Sequence, residues 1–300
     1  MHYILDPLYY AVSWVLVQFH SFAGLVTKNE SVRWSASIVL LVVLIRIILI
    51  PLFVRQIKSQ RALTALQPHM KEIQKRYKDD RQKQSEEMMK LYKEHKTNPL
   101  ASCFPILAQA PIFFALFTVL NGISTGRGHG LMKGAVLESA KQAQFFGADL
   151  SSRFIGSTGN TQTKVVTIFL ILFMSASTFA TQRQLMTKGM PKMDSSNNMM
   201  LQQQKIMLYV FPIIFAISGV NFPVGVLLYW GTTNLWTFGQ QMYVIKRNPT
   251  PGSPAYDEWR KKQEAKNKSD VTPTESNEGS VATEEPKGQR KQPKRKRRNR

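Results

Sequence analysis

Cysteine is almost absent: Cys103 is the one thiol among 300 residues, so neither a disulfide framework nor a cysteine-based metal site can be assembled. Acid is missing where it would matter most. The chain has five stretches apolar enough to cross a bilayer, and none of them contains Asp or Glu. The five histidines (His2, His20, His69, His95 and His129) also lie outside those stretches. These absences exclude intramembrane proteases, which need carboxylates or His-bound metal at membrane depth. They equally exclude proton-coupled carriers built on a buried carboxylate relay. No GxxxxGK[ST] phosphate loop occurs and no internal repeat is visible, which removes nucleotide-driven pumps and alternating-access carriers. The chain is therefore not read as an enzyme, and no cofactor is expected.

Long apolar runs and cations are what the chain does have. The mean hydropathy of −0.20 averages over apolar blocks separated by charged ones. Spans are expected at 34–54, 99–121 and 164–186, with two more within 205–243. The opening segment 1–33 lacks the basic start and the small-residue cleavage site of a signal peptide. After Asp6-Pro7, the residues Leu8, Val12, Val15, Leu16, Phe19 and Phe22 recur at helical spacing against Ser13, Gln18 and His20. Two readings are open: an amphipathic extracytoplasmic helix lying in the interface, or a weak additional span.

Lys and Arg number 40 against 19 Asp and Glu, a formal net charge of +21. The segment 55–98 carries twelve of these cations and the chain beyond Ile245 sixteen, whereas the loop 122–163 holds four. By the positive-inside rule, 55–98, the loop 187–204 and the tail 244–300 are cytoplasmic and the N-terminus lies outside. Most of the net charge is thus orientation charge. Within 55–98, Leu66, Met70, Ile73 and Tyr77 repeat at coiled-coil spacing; after Asp79-Asp80, Met88, Tyr92 and His95 follow suit. This predicts an antiparallel helical hairpin, either a docking arm or a spacer. The tail is poor in large apolar residues and is expected to be disordered. Its end, KQPKRKRRNR, concentrates Lys294, Arg295, Lys296, Arg297 and Arg298, suited to ribosomal RNA phosphates, to anionic lipid, or to no dedicated partner.

One cation stands apart. In IVLLVVLIRIILIPLFVR, Arg46 precedes Arg55 by nine residues, about 13 Å at about 1.5 Å per residue, too deep for easy snorkelling. Burial there costs ~2.5–3.5 kcal/mol on insertion scales, so Arg46 must face water or polar side chains. Gln109, the Ser175/Thr178/Thr181/Gln182 face, and Trp230, Thr233, Asn234, Thr237 and Gln241 are available to wall a hydrated cavity around it. The alternative is that these hydroxyls and amides bond back to carbonyls and knit helices together.

The run LQPHMKEIQKRYKDDRQKQSEEMMKLYKEHKTNPLASCFPILAQAPIFFALF, the arginine ahead of it, FFGADLS and NFPVGVLLYWGTTNLWTFGQQ resemble the YidC membrane insertases, relatives of the mitochondrial oxidase-assembly and thylakoid Albino insertases. The resemblance covers about residues 30–245. It implies an all-α polytopic fold of five transmembrane helices forming a hydrophilic groove, a cytoplasmic helical hairpin and a basic tail. Arg46 matches the family's groove arginine, Gln182 and Trp230 match groove-lining positions, and Tyr229 lies where a substrate's apolar segment slides. Implied partners are nascent membrane proteins, the ribosome and signal-recognition machinery, the Sec translocon and anionic lipids, at the bacterial plasma membrane. The implied activity is ATP-independent insertion and folding of nascent membrane proteins, alone or with the translocon. The alternatives are an assembly chaperone acting after translocon insertion, or a small channel. No large extracytoplasmic domain precedes 34–54 and no lipoprotein-type cysteine is present, so the N-terminus is expected to cross without a cleaved signal.

Overall fold

A computed structural model describes residues 2–97, 104–156, 160–190 and 199–269. Among these, the helices run in the order α1 (His2–Ala23), α2 (Glu30–Ile48), α3 (Ile50–Ala65), α4 (Gln67–Arg76), α5 (Arg81–Glu94), α6 (Phe104–Thr125), α7 (Gly134–Gln142), α8 (Thr161–Gln184), α9 (Met199–Gly219), α10 (Val224–Arg247) and α11 (Pro254–Ser269). Strands β1 (Gln144–Phe145) and β2 (Ala148–Asp149) form a small antiparallel hairpin between α7 and α8. The chain divides into a unit Met1–Arg260 and a unit Lys261–Arg300; within the second, only the end of α11 is described.

Helix boundaries follow local chemistry. Asn29, Asp80 and Asn160 cap α2, α5 and α8 by accepting the N–H of the residue three positions on. Pro51 divides the stretch expected as one span over 34–54. It has no N–H to offer the Ile47 carbonyl, so the ladder of α2 breaks, and the chain turns at Leu49 and resumes as α3 with Pro51 in its first turn. Arg46 therefore sits in the last turn of α2.

Among the described residues, two helical segments have the length and apolarity to cross a membrane: Glu30–Ile48, at mean hydropathy 2.0, and Thr161–Gly189, at 1.8. Gln109–Thr125 and Lys205–Gly219 are apolar but shorter. Thr232, Thr233, Asn234, Thr237, Gln240 and Gln241 dilute the apolar character of α10.

The core forms where α1 packs on α2 and α6, α2 on α10, and α8 on both α9 and α10. Trp34, Ile38 and Leu41 of α2 meet Leu16 of α1, Leu116 and Val119 of α6 and Val224–Leu227 of α10 within one buried cluster. The face expected to be polar on α1 is only partly its outer face: Gln18 is exposed, but Ser13 and His20 are not. Ser13 is fully buried, its hydroxyl donating to the Tyr10 carbonyl and accepting the Leu131 N–H, and the His20 ring stacks on Trp34 at 4.2 Å. Outward from α1 point Tyr10, Trp14 and Phe22. Burying Ser13 satisfies a loop N–H that a valine there would leave orphaned.

Residues 126–156 fold over one end of the bundle. Met132, Leu137, Ala140, Ala143, Ala148 and Leu150 are buried, and the Trp34 indole N–H donates to Ser139 Oγ at 2.9 Å. Ser139 in turn donates to Glu30, which also pairs with His20 and Arg33. The first N–H groups of α10 find partners here: Val224 N–H donates to Ser152 O and Gly225 N–H to Leu150 O, both at 2.9 Å. Phe146 and Gly147 turn the β-hairpin with φ of 49° and 79°, the positive pair that a two-residue connection demands.

Helices α4 and α5 touch through pairs that descend one helix as they ascend the other: Gln74 with Gln84, Met70 with Tyr92, His69 with His95. Leu66 and Leu91 are buried. The tail expectation needs correction. Residues 244–247 complete α10, and 254–269 form a helix rather than disordered chain. Ser253 Oγ accepts the Tyr256 N–H, Pro254 occupies the first turn, and Tyr256 stacks on Trp259 at 5.8 Å. Low apolar content had hidden these start signals. The KQPKRKRRNR segment lies outside the described residues, as does Cys103.

Candidate functional site

Arg46 is 7% exposed, and the only carboxylates in the chain lie outside the apolar stretches. Among the described residues it enters no ion pair; its guanidinium lies 5.6 Å from the centre of the Phe53 ring, one turn past the Pro51 bend. Arg46 opens onto a cavity of about 210 Å³. The walls come from α3 (Phe53, Gln56, Ile57, Arg61), from the end of α8 (Leu185, Gly189), and from the last turns of α10 with the residues following it (Thr237 through Thr250). Amides, hydroxyls and two guanidinium groups line it alongside Phe53, Ile57, Leu185, Val244 and Ile245, and among the described residues no carboxylate does.

Three local features shape this cavity. The Pro51 bend redirects α3 toward the end of α10. The final turn of α8, Leu185–Gly189, is a wider π-helical turn, a geometry that recurs at functional sites. Gly189 is buried there, and a Cβ on it would stand 3.0 Å from Leu185 and 3.4 Å from Ile245, so a bare backbone lets this turn approach α10.

The residues singled out from sequence separate into groups. Arg46, Thr237 and Gln241 share the cavity. Thr178 and Asn234 instead join α8 to α10: Asn234 Nδ2 donates to Thr178 Oγ1 at 3.0 Å and to the Met174 carbonyl at 3.2 Å. Thr178, Thr181 and Thr237 each donate to the carbonyl four residues back, the knitting role open to them from the start. Thr233 is half-buried, one turn on from Tyr229 and interacting with its side chain. Tyr229 is buried within electrostatic reach of Arg46. Trp230 lies among rings, 4.7 Å from Phe215, 5.6 Å from Phe222 and 5.7 Å from Phe113. Gln109 and Gln182 are half-buried, and neither lines the cavity. Sequence reasoning missed Gln56, Arg61, Gln240 and Asn248. Arg61 was hidden among orientation charges, and only its place beyond Pro51 hinted that it turns back.

A family model described as 60Kd inner membrane protein matches residues 26–251. The chain belongs to this family, the YidC family. A "Membrane protein insertase YidC" from Streptomyces avermitilis is 58% identical over 253 residues, covering 81% of this chain and 59% of the relative, so the chain spans well under two thirds of that protein. A relative of the same description from Tropheryma whipplei is 35% identical, covering 98% of this chain and 95% of its own length. One from Mycobacterium tuberculosis is 32% identical over 286 residues, covering 87% and 76%. The matched region contains Arg46, the whole cavity and the cap over α10. YidC-family membership makes this a membrane protein, and the exposed Val165, Phe169 and Leu172 of α8 and Ile213, Ile214 and Ile217 of α9 are the apolar surface such a protein needs.

Proposed function

We propose that the chain is a membrane protein insertase whose working site is the Arg46 cavity. The observation that carries this is a guanidinium buried to 7% exposure beside a cavity of mixed polar and apolar lining that has no carboxylate among its described wall residues, in a chain whose relatives are named insertases. A cation held at that depth without a counter-charge is a standing attraction for an acidic segment.

In this reading five spans, at 34–54, 99–121, 164–186 and two within 205–243, form a groove open to the cytoplasm and to lipid. The cap of residues 126–156 closes the outer end, with the N-terminus outside and the C-terminus inside. A hydrophilic tail or loop of a nascent membrane protein enters the groove, where Arg46 and the amides and hydroxyls around it replace water. The apolar segment behind it then partitions into lipid at about 25 cal/mol per Å² of apolar surface. That free energy draws the tail across, and no ATP is required. The α4–α5 pair is a cytoplasmic arm for the substrate and for the ribosome and signal-recognition machinery. The basic end, Lys294–Arg298, meets ribosomal RNA or anionic lipid, and the Sec translocon is a partner for larger substrates.

The test is protease protection of a small single-span substrate with an acidic tail, added to liposomes with and without the purified chain. Protection only with the chain supports autonomous insertion. Absence of protection, with the substrate still crosslinking to residues around Arg46, would replace it with an assembly chaperone acting after the translocon. Ion conductance without substrate would replace it with a channel.

A further inference from the structure

The cavity holds a second cation. Arg61, on α3, donates through Nη2 to the carbonyl oxygens of Asn248 and Pro249, the latter at 3.4 Å, where α10 ends. Its Nε–H is buried and has no hydrogen-bond partner among the described residues. Both Arg61 and Arg46 line the same space, together with Gln56, Gln240 and Asn248.

We propose that Arg61 is a second carboxylate-binding residue at the mouth of this cavity, latched to the end of α10 until an acidic segment arrives. The proposal rests on the insertase reading above and extends it to a residue with its own geometry. A guanidinium takes a carboxylate through two parallel N–H groups, and Nε with Nη2 forms one such edge. In Arg61 that edge is half used: Nη2 is spent on neutral carbonyls and Nε on nothing. A carboxylate engages both N–H groups at once, and each bond is charge-assisted, roughly twice as strong as a neutral one. Exchange of the Asn248 and Pro249 carbonyls for a carboxylate is therefore favourable. The released carbonyls at the C-terminal end of α10 can turn to water, so little is lost on that side.

Two consequences follow. A substrate tail with two acidic residues occupies Arg61 at the mouth and Arg46 farther in, so acidic content, and not merely polarity, sets preference. Release of the latch also frees α3 from α10 and widens the opening through which the tail passes.

The experiment uses the full chain in lipid nanodiscs and three synthetic peptides that share one apolar span and carry two, one or no acidic residues in the tail. The wild-type chain is expected to bind the two-acid peptide about tenfold more tightly than the one-acid peptide, and that one about tenfold more tightly than the neutral one, the factor one charge-assisted hydrogen bond supplies. Arg61→Gln removes the first step and keeps the second. Arg61→Lys, which has the charge but not the fork, restores only part of the first step. Spin labels at Lys58 and Arg247, in a Cys103→Ser background, report the latch and should separate when the two-acid peptide binds. This reading decides alone if Arg61→Gln fails to fold. Retention of the first step in a folded Arg61→Gln chain, or an unchanged label distance with that peptide bound, overturns the role of Arg61. A wild-type chain indifferent between one acid and none overturns the Arg46 reading instead.

Discussion

Replacing Arg46 with methionine should make the protein more stable while impairing it. Methionine keeps most of the aliphatic stem, and among the described residues the walls of the cavity make no ion pair that the change would break. A cation at the centre of a membrane helix costs ~2.5–3.5 kcal/mol on insertion scales, an upper bound for Arg46 in the last turn of α2. Two terms reduce the gain. The contact with Phe53 at 5.6 Å, worth ~0.5–2 kcal/mol, is lost. Water in the 210 Å³ cavity already spares Arg46 part of the cost. A net stabilisation of about 1–2 kcal/mol remains. The assay is equilibrium unfolding of the purified chain in mixed micelles, with protease protection of an acidic-tailed substrate measured on the same preparations. Higher stability with reduced protection is the expected pair. A destabilisation of comparable size would show that Arg46 is a structural member of the bundle, and the argument from an uncompensated charge would fall.

Other substitutions probe the frame around the cavity. Thr178→Val and Asn234→Leu should each destabilise the α8–α10 contact, and their double-mutant cycle should give a coupling of ~0.6 kcal/mol, at most ~1.7, in the same unfolding assay; zero coupling would mean the observed bond contributes nothing. Phe146→Gly removes a positive-φ non-glycine residue from the hairpin tip and should raise the thermal midpoint through relief of ~1 kcal/mol of strain. A lowered midpoint would show that the exposed Phe146 ring contributes more through its surroundings than its backbone costs.

The spacing of Arg46, Thr237 and Gln241 was readable because each lies at a helical interval within an apolar stretch, where any polar atom announces itself. Arg61 and Gln56 were not, because they sit among charged residues and beyond a proline bend, across which no periodicity carries. Thr178 and Asn234 look like wall residues in sequence; which of two helices an amide faces depends on packing angle, and here they bond to each other. Ser13 shows the reverse error. A buried hydroxyl reads as surface until the loop N–H that needs it is known. Helix α11 escaped notice since a charged helix carries its signals in the caps and not in its composition.

The paired N–H groups at the start of α10 bear on how the molecule is made. Val224 and Gly225 bond to carbonyls of Ser152 and Leu150, and Val224, Val226 and Leu227 are fully buried against the same region. During synthesis the partners at 150 and 152 are complete long before residue 225 leaves the ribosome. Until then, the cap of residues 126–156 lacks the helix it seats upon, and the bundle stays unsealed at that end. Helix α10 is thus the keystone: a chain released short of it would leave its cap without a seat and its arginine without a cavity.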